Sequence, residues 1–233
     1  MLVQALIFPG FTTLDLIGAL QPLAQIPGTD VEIVAHKPGP VMNDTASPIV
    51  ASHDFDTAAG SPDVLLVPGG GTPSVDVLEH APTLSFVADR GARAGWLVAV
   101  CTGSLLFGQA GLLQGFRAAS HWSVMHTLDA FGAIPVNERV VIDRNRCTGG
   151  GVTAGVDIGL TVAGHLAGEE AAKVIELVLE YNPAPPFGTG HPTIADPATL
   201  ETARNRAEAI MQPDRIRAIA EASAYLRQSS DAS

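Results

Sequence analysis

The stretch WLVAVCTGSLLFGQAGLLQG, residues 96–115, decides the fold. Its first five residues are apolar at every position, the pattern of a strand covered on both faces of a parallel sheet. Cys101 stands at the joint, and small residues then open a helical stretch over 102–113. Open α/β sheets bind ligands beyond the carboxyl ends of their strands, so a residue at this joint faces a ligand crevice.

Working outward, runs of the same two-sided apolar kind occur at 2–8, 31–35 and 64–67, and helical stretches at 14–26 and 81–94. Strand and helix alternate, so the expected fold is a single-domain, doubly wound α/β structure with helices on both faces of a mostly parallel sheet. Further on, the spacing predicts a helix near 122–131, then a hairpin in which 136–142 turns at 143–145 and returns through Cys147. Residues 152–180 have few breakers and read as one long helix or a broken pair. A Pro- and Gly-rich segment, YNPAPPFGTGHP, follows, and residues 197–228 read as terminal helices. These boundaries predict an α/β domain over 1–190 and a helical extension over 191–233 packed on the same domain.

Nearly half of the 233 residues are apolar, ample material for a core. The net charge of −11 argues against nucleic acid and anionic membranes, whose phosphates select basic faces. The start, MLVQALIFPG, lacks a basic segment and a cleavage site, so the expectation is a core strand in a cytoplasmic protein. A disulfide between Cys101 and Cys147 is disfavoured in that compartment. The histidines show no ligand spacing with one another or with cysteine, so no metal site is predicted.

Cys101 carries the chemistry in this reading. The following helix start offers free N–H groups and partial positive charge, which favours a thiolate and predicts an unusually nucleophilic sulfur. A buried free cysteine is also an ordinary small hydrophobe, and Cys147, with no helix start after it, is read that way. Asp15 interrupts the apolar stretch FTTLDLIGAL at the same sheet edge. It is either a desolvated proton carrier or one of three residues, with Thr12 and Thr13, able to cap the first helix. The glycine runs 69–71 and 149–151 allow close backbone approach, and His121 and Trp122 are candidates to line the crevice.

Taken in order, VPGGG, AVCTGS and SHW after an early acidic residue resemble the ThiJ/PfpI superfamily. Within it, CTGSLLFGQAGLLQG, GAIPVNERVV, CTGGGVTAGVD and LEYNPAPPF are similar to the isocyanide hydratase branch, and the match runs from Phe8 to Phe187. The resemblance implies a flavodoxin-like sheet, a homodimer, and hydration of an isocyanide to an N-substituted formamide without cofactor or metal. It further implies that Cys101 attacks the terminal carbon to give a thioimidate and that Asp15 moves the protons. Thr102 and the N–H groups near Gly70 and Gly71 would position sulfur or charge, and Trp122, Val152 and Thr153 would wall the pocket. Protease-like members of the superfamily place His directly after the cysteine, where this chain has Thr102, so a Cys-His peptidase is disfavoured. Two alternatives stay open: a glyoxalase or deglycase acting on reactive carbonyls, and a non-enzymatic redox sensor at Cys101.

Overall fold

In the computed structural model, which describes residues 1–231, the apolar runs form a six-stranded sheet. Its strands are β1 (Leu2–Leu6), β2 (Asp30–Val34), β5 (Val64–Val67), β6 (Trp96–Val100), β9 (Val140–Asp143) and β10 (Arg146–Gly149), in the order β2-β1-β5-β6-β10-β9. Every pairing is parallel except β10 with the edge strand β9. β5 is buried at every position and β6 at all but its first, which is why both read as unbroken apolar runs. β9 and β10 are the hairpin expected around 143–145.

Helices cover both faces. α1 (Thr13–Ala24) packs against α5 (Ala154–Ala167), with α6 (Glu169–Val178) beside them. The approach is close: a Cβ on Gly159 would lie 2.5 Å from the Ala19 carbonyl oxygen, so only glycine fits there. The chain breaks between α5 and α6 at Gly168, whose φ is +90°, resolving the 152–180 stretch as a broken pair. The opposite face carries α2 (Thr72–Val77), α3 (Ala81–Gly91) and α4 (Gly103–Gln109).

Two elements lie outside the sequence reading. The hairpin of β3 (Gly39–Met42) and β4 (Pro48–Ala51) rises beyond the carboxyl end of β2, and each of its four-residue strands carries a proline. α2 begins directly after the first glycine run with Pro73 in its first turn, a sequence that looks like a loop. A small parallel pair, β7 (Arg117–Ala118) and β8 (Ile134–Pro135), flanks residues 125–131. That segment is a 3-10 helix rather than the α-helix expected near 122–131, and Gly132 ends it at φ +76°. α4 also stops four residues short of the expected 113.

The chain ends in α7 (Pro197–Met211) and α8 (Pro213–Asp231). Asp196 caps α7 by accepting the Thr199 N–H at 3.0 Å. Ile216 and Ala220 of α8 are fully buried, Thr72 Oγ1 donates to the Ile210 carbonyl at 2.9 Å, and Arg215 pairs with Asp76 and Glu79 on and just after α2. Among the described residues no helix is long and apolar enough to cross a membrane.

Candidate active site

Cys101 sits where β6 meets α4, at φ +58° in the left-handed region that non-glycine residues seldom occupy. Its neighbours hold it there. The Cys101 N–H donates to the Gly149 carbonyl at 3.2 Å, and its own carbonyl accepts hydroxyl bonds from Ser104 at 3.2 Å and Ser120 at 3.0 Å. Three hydrogen bonds, made with β10, α4 and the segment after β7, thus pin a strained turn, the geometry that projects a nucleophile from a strand end.

Asp15, in the first turn of α1, is fully buried. It does not cap its own helix; Asp44 from the β3–β4 hairpin does, accepting from the Thr13 N–H and hydroxyl. Asp15 Oδ2 instead accepts the Gly69 N–H at 2.9 Å, and the Cys101 thiol lies close enough to the same carboxyl for each to shift the ionisation of the other. Among the described residues no N–H or O–H reaches Oδ1. Burial raises the Asp15 pKa to about 7, the Gly69 N–H and the nearby Cys101 thiol hold it back in part, and the Asp44 charge adds a small upward push.

The thiol departs from the sequence expectation. Burial first, then the Asp15 charge, push its pKa well above the ordinary cysteine value, and the backbone N–H of Thr102 opposes them without prevailing. The resting sulfur is therefore a thiol beside a carboxyl, not a free thiolate, because desolvation outweighs the helix-end field at a site only 2% exposed. Cys147, in β10, is raised to about 12 by burial alone and has no partner carboxyl, consistent with a packing role.

Thr102 joins the sulfur to the first glycine run. Its hydroxyl accepts the Gly70 N–H at 2.9 Å, donates to the Gly70 carbonyl at 2.9 Å and contacts Ser74 Oγ at 2.8 Å. A hydroxyl has one proton and two lone pairs, so these contacts exhaust it. Gly69 fits between the two side chains only because it has no Cβ, which would lie 2.5 Å from Thr102 Oγ1 and 2.8 Å from Asp15 Oδ2. Gly71 points elsewhere, against Ile210 of α7, where a Cβ would meet Cγ2 at 2.3 Å.

The second glycine run borders this cluster through Gly149. The segment after it is braced from outside: Arg139 donates to the Thr153 carbonyl at 3.0 Å and to Asp157 Oδ2 at 2.6 Å, and the Tyr181 hydroxyl donates to the same oxygen at 2.8 Å. Gly151 approaches His121, whose burial lowers its pKa and keeps it neutral. Trp122 stacks near His121 at 5.4 Å and lines a groove of about 490 Å³ with Arg204 and Pro213. Cys101 does not line that groove. The structure therefore brings together Asp15, Cys101, Thr102 and Gly70, while Gly71, Trp122, Val152 and Thr153 lie at its margins. Gly69 belongs to the 69–71 run that the sequence flags, whereas Ser74, Ser104 and Ser120 have no role in that reading, although the motifs AVCTGS and SHW contain the last two.

A buried thiol on a strained strand-to-helix turn, paired with a carboxyl from the first helix of a flavodoxin-like sheet, defines a class of α/β proteins with a nucleophile elbow. The chain belongs to the DJ-1/PfpI family, whose model matches residues 1–164. It is 43% identical over 202 residues to an isonitrile hydratase of Pseudomonas putida, covering 87% of this chain and 88% of that one. A crystal structure of a ThiJ/PfpI family protein from Pseudomonas syringae superposes with a TM-score of 0.91 at 39% identity, over 94% of this chain and 90% of the other. The chain is also 30% identical over 184 residues to the HTH-type transcriptional regulator GbdR of Pseudomonas aeruginosa, across 76% of this chain but only 49% of the regulator.

Proposed function

We propose that this protein is an isocyanide hydratase, converting R–N≡C and water to R–NH–CHO through a covalent bond to Cys101. The observation that carries the reading is the placement of Cys101, on its strained turn, beside the buried Asp15 carboxyl, in a chain 43% identical to an isonitrile hydratase.

The chemistry follows from the proton inventory. Near neutrality the proton shared by the pair lies on sulfur, and among the described residues the Asp15 carboxylate is the base beside it. As sulfur attacks the terminal carbon, Asp15 accepts the thiol proton and delivers it to that carbon, giving the thioimidate Cys–S–CH=N–R. One S–H bond is broken, and one S–C and one C–H bond are made. Water then adds across C=N with Asp15 as general base. The tetrahedral adduct collapses to the formamide, and the sulfur leaves and recovers its proton. Substrate and water supply every atom. A carboxyl with a pKa near 7 suits both directions of transfer, and the buried site keeps bulk water from the intermediate.

Thr102 acts in this scheme by fixing Gly70, and so the Gly69 N–H, against Asp15. In this reading substrate reaches the sulfur past Trp122, Val152, Thr153 and the Gly70–Gly71 backbone, with the Gly70 N–H held by Thr102. Residues 191–231 form an extension of the same domain, and Ile210 and Arg215 within it brace α2. A homodimer is part of the reading. Leu14 and Ile17 on α1, with Val174, Leu177 and Val178 on α6, leave an apolar face open on one side of the sheet, and Leu177 is 81% exposed.

The test is a rate assay with a simple alkyl or aryl isocyanide. Formamide must appear with the native enzyme, vanish in Cys101→Ala and fall severely in Asp15→Asn. Intact mass of Asp15→Asn after exposure to substrate should show unmodified enzyme, because forming the thioimidate already needs the carboxylate to take the thiol proton. Absence of turnover across a panel of isocyanides, with lactate formed from methylglyoxal instead, rejects the reading in favour of carbonyl chemistry.

A further inference from the structure

A cavity of about 670 Å³ lies at the carboxyl ends of β1 and β2, roofed by the β3–β4 hairpin and walled by α2. Its size suits a small organic molecule, and strand ends are where such sheets take ligands. It is separate from the Cys101 site, because α2 stands between them. Pro73, Asp76 and Val77 line the cavity from one side of that helix, whereas Ser74 turns inward to Thr102.

The lining is apolar below, with Ile7, Phe8, Val41 and Val77, and polar at one end. There Lys37 and two histidines gather. His80 caps α3 with Nδ1, accepting the Thr83 N–H and contacting Thr83 Oγ1 at 2.8 Å, which leaves Nε2 as the ring's donor. The His36 ring packs edge-on to it at 5.1 Å. The one acid in the lining, Asp76, is already matched by Arg215. Lys37, by contrast, has no carboxylate within ion-pair distance among the described residues. On a chain of net charge −11, an unmatched cation beside an apolar hollow selects an anion with a hydrocarbon body.

We propose that this cavity is a second ligand site, taking a small monocarboxylate with an apolar body whose head group pairs with Lys37 and the His80 ring. A single free cation suits one negative charge rather than a phosphate dianion, and the apolar floor excludes a bare ion.

The experiment is a methyl-resolved NMR titration of the full chain with octanoate, and with 1-octanol as the uncharged control. Octanoate should shift the methyls of Ile7, Val41 and Val77 saturably, and 1-octanol should bind about tenfold more weakly. Lys37→Glu, on an exposed side chain, should weaken octanoate by at least that factor and leave 1-octanol unchanged. Val77→Trp, which fills the hollow, should block both. The proposal is overturned by equal affinity for octanoate and 1-octanol, by shifts centred on residues around Cys101, by no binding at millimolar octanoate, or by self-association through the hairpin in place of a one-to-one complex.

Discussion

Asp15 precedes Gly69 by 54 residues, yet its Oδ2 accepts the Gly69 N–H at 2.9 Å inside the buried core. That one bond joins α1 to the loop after β5, and the Cys101 thiol closes the triangle from the end of β6. Three strand ends meet there, and every proton the proposed reaction needs passes through the carboxyl they share.

The first consequence is a pH profile. Asp15 must be ionised to accept the thiol proton, and its pKa is raised to about 7 by burial. Formamide formation at low isocyanide should therefore climb about tenfold per pH unit below 7 and level off above it. No descending limb belongs near neutrality, because the thiol stays protonated well beyond the ordinary cysteine range. A profile already flat at pH 5 would mean that Asp15 is not the base.

Stability should run the opposite way with pH. An unfolded Asp15 ionises near 3.8 and the folded one near 7, so between those values the native state holds the extra proton. The stability associated with this group is full at the acid end and is lost as pH rises through about 7. Asp15→Asn removes the ionisation. Chemical denaturation should find it more stable than the native protein at pH 8, with a ceiling on the order of 4 kcal/mol, and the advantage should shrink at pH 5. A gain of the same size at both values counts against a buried charge.

Gly69→Ala tests the close approach directly. The added Cβ would meet Thr102 Oγ1 at 2.5 Å, the Thr102 nitrogen at 2.7 Å and Asp15 Oδ2 at 2.8 Å, two of them fixed by the site itself. Overpacking of this kind costs about 1–3 kcal/mol. Displacing the carboxyl by even a fraction of an ångström should lower turnover about 100-fold. Gly60→Ala, where a Cβ meets nothing within 4 Å, is the matched control and should leave both stability and turnover near native.

The sheet was legible because β5 and β6, and β1 apart from Gln4, are apolar on both faces, a pattern few other structures produce. The β3–β4 hairpin was not, since Pro40 and Pro48 fall within strands too short to alternate, and it is held in part by contacts such as Asp44 with Thr13. In the site, Cys101 and Asp15 stood out as polar or reactive groups in apolar runs. Gly69 contributes only a backbone N–H, which carries no side-chain signature. The acidity of the thiol went the other way from its position because desolvation and the Asp15 charge are properties of the folded surroundings, and a strand-to-helix joint alone does not report them.

The open apolar face makes a prediction about assembly. Leu177 is 81% exposed on α6, next to Val174 and Val178 and on the same side of the sheet as Leu14 and Ile17. Light scattering should give twice the chain mass of 24.1 kDa. Leu177→Glu, which alters no buried contact, should shift the equilibrium towards one chain. A native protein of single-chain mass at high micromolar concentration would reject the pairing.

Thr102 provides the sharpest test of how the site is held. Its hydroxyl uses all its hydrogen-bonding capacity on Gly70 and Ser74, so Thr102→Val leaves the Gly70 N–H, the Gly70 carbonyl and the Ser74 hydroxyl without that partner. Each orphaned group costs about 1–3 kcal/mol, and the loop relieves the cost by moving away. That motion carries the Gly69 N–H with it, and this is the bond that lowers the Asp15 pKa. The variant should lose stability and turnover, and the midpoint of its surviving pH profile should lie above 7. Thr102→Ser keeps the hydroxyl and should restore the native midpoint while losing only the packing of one methyl. If Thr102→Val lowers the rate without moving the midpoint, Thr102 acts on the substrate itself and not through Gly70.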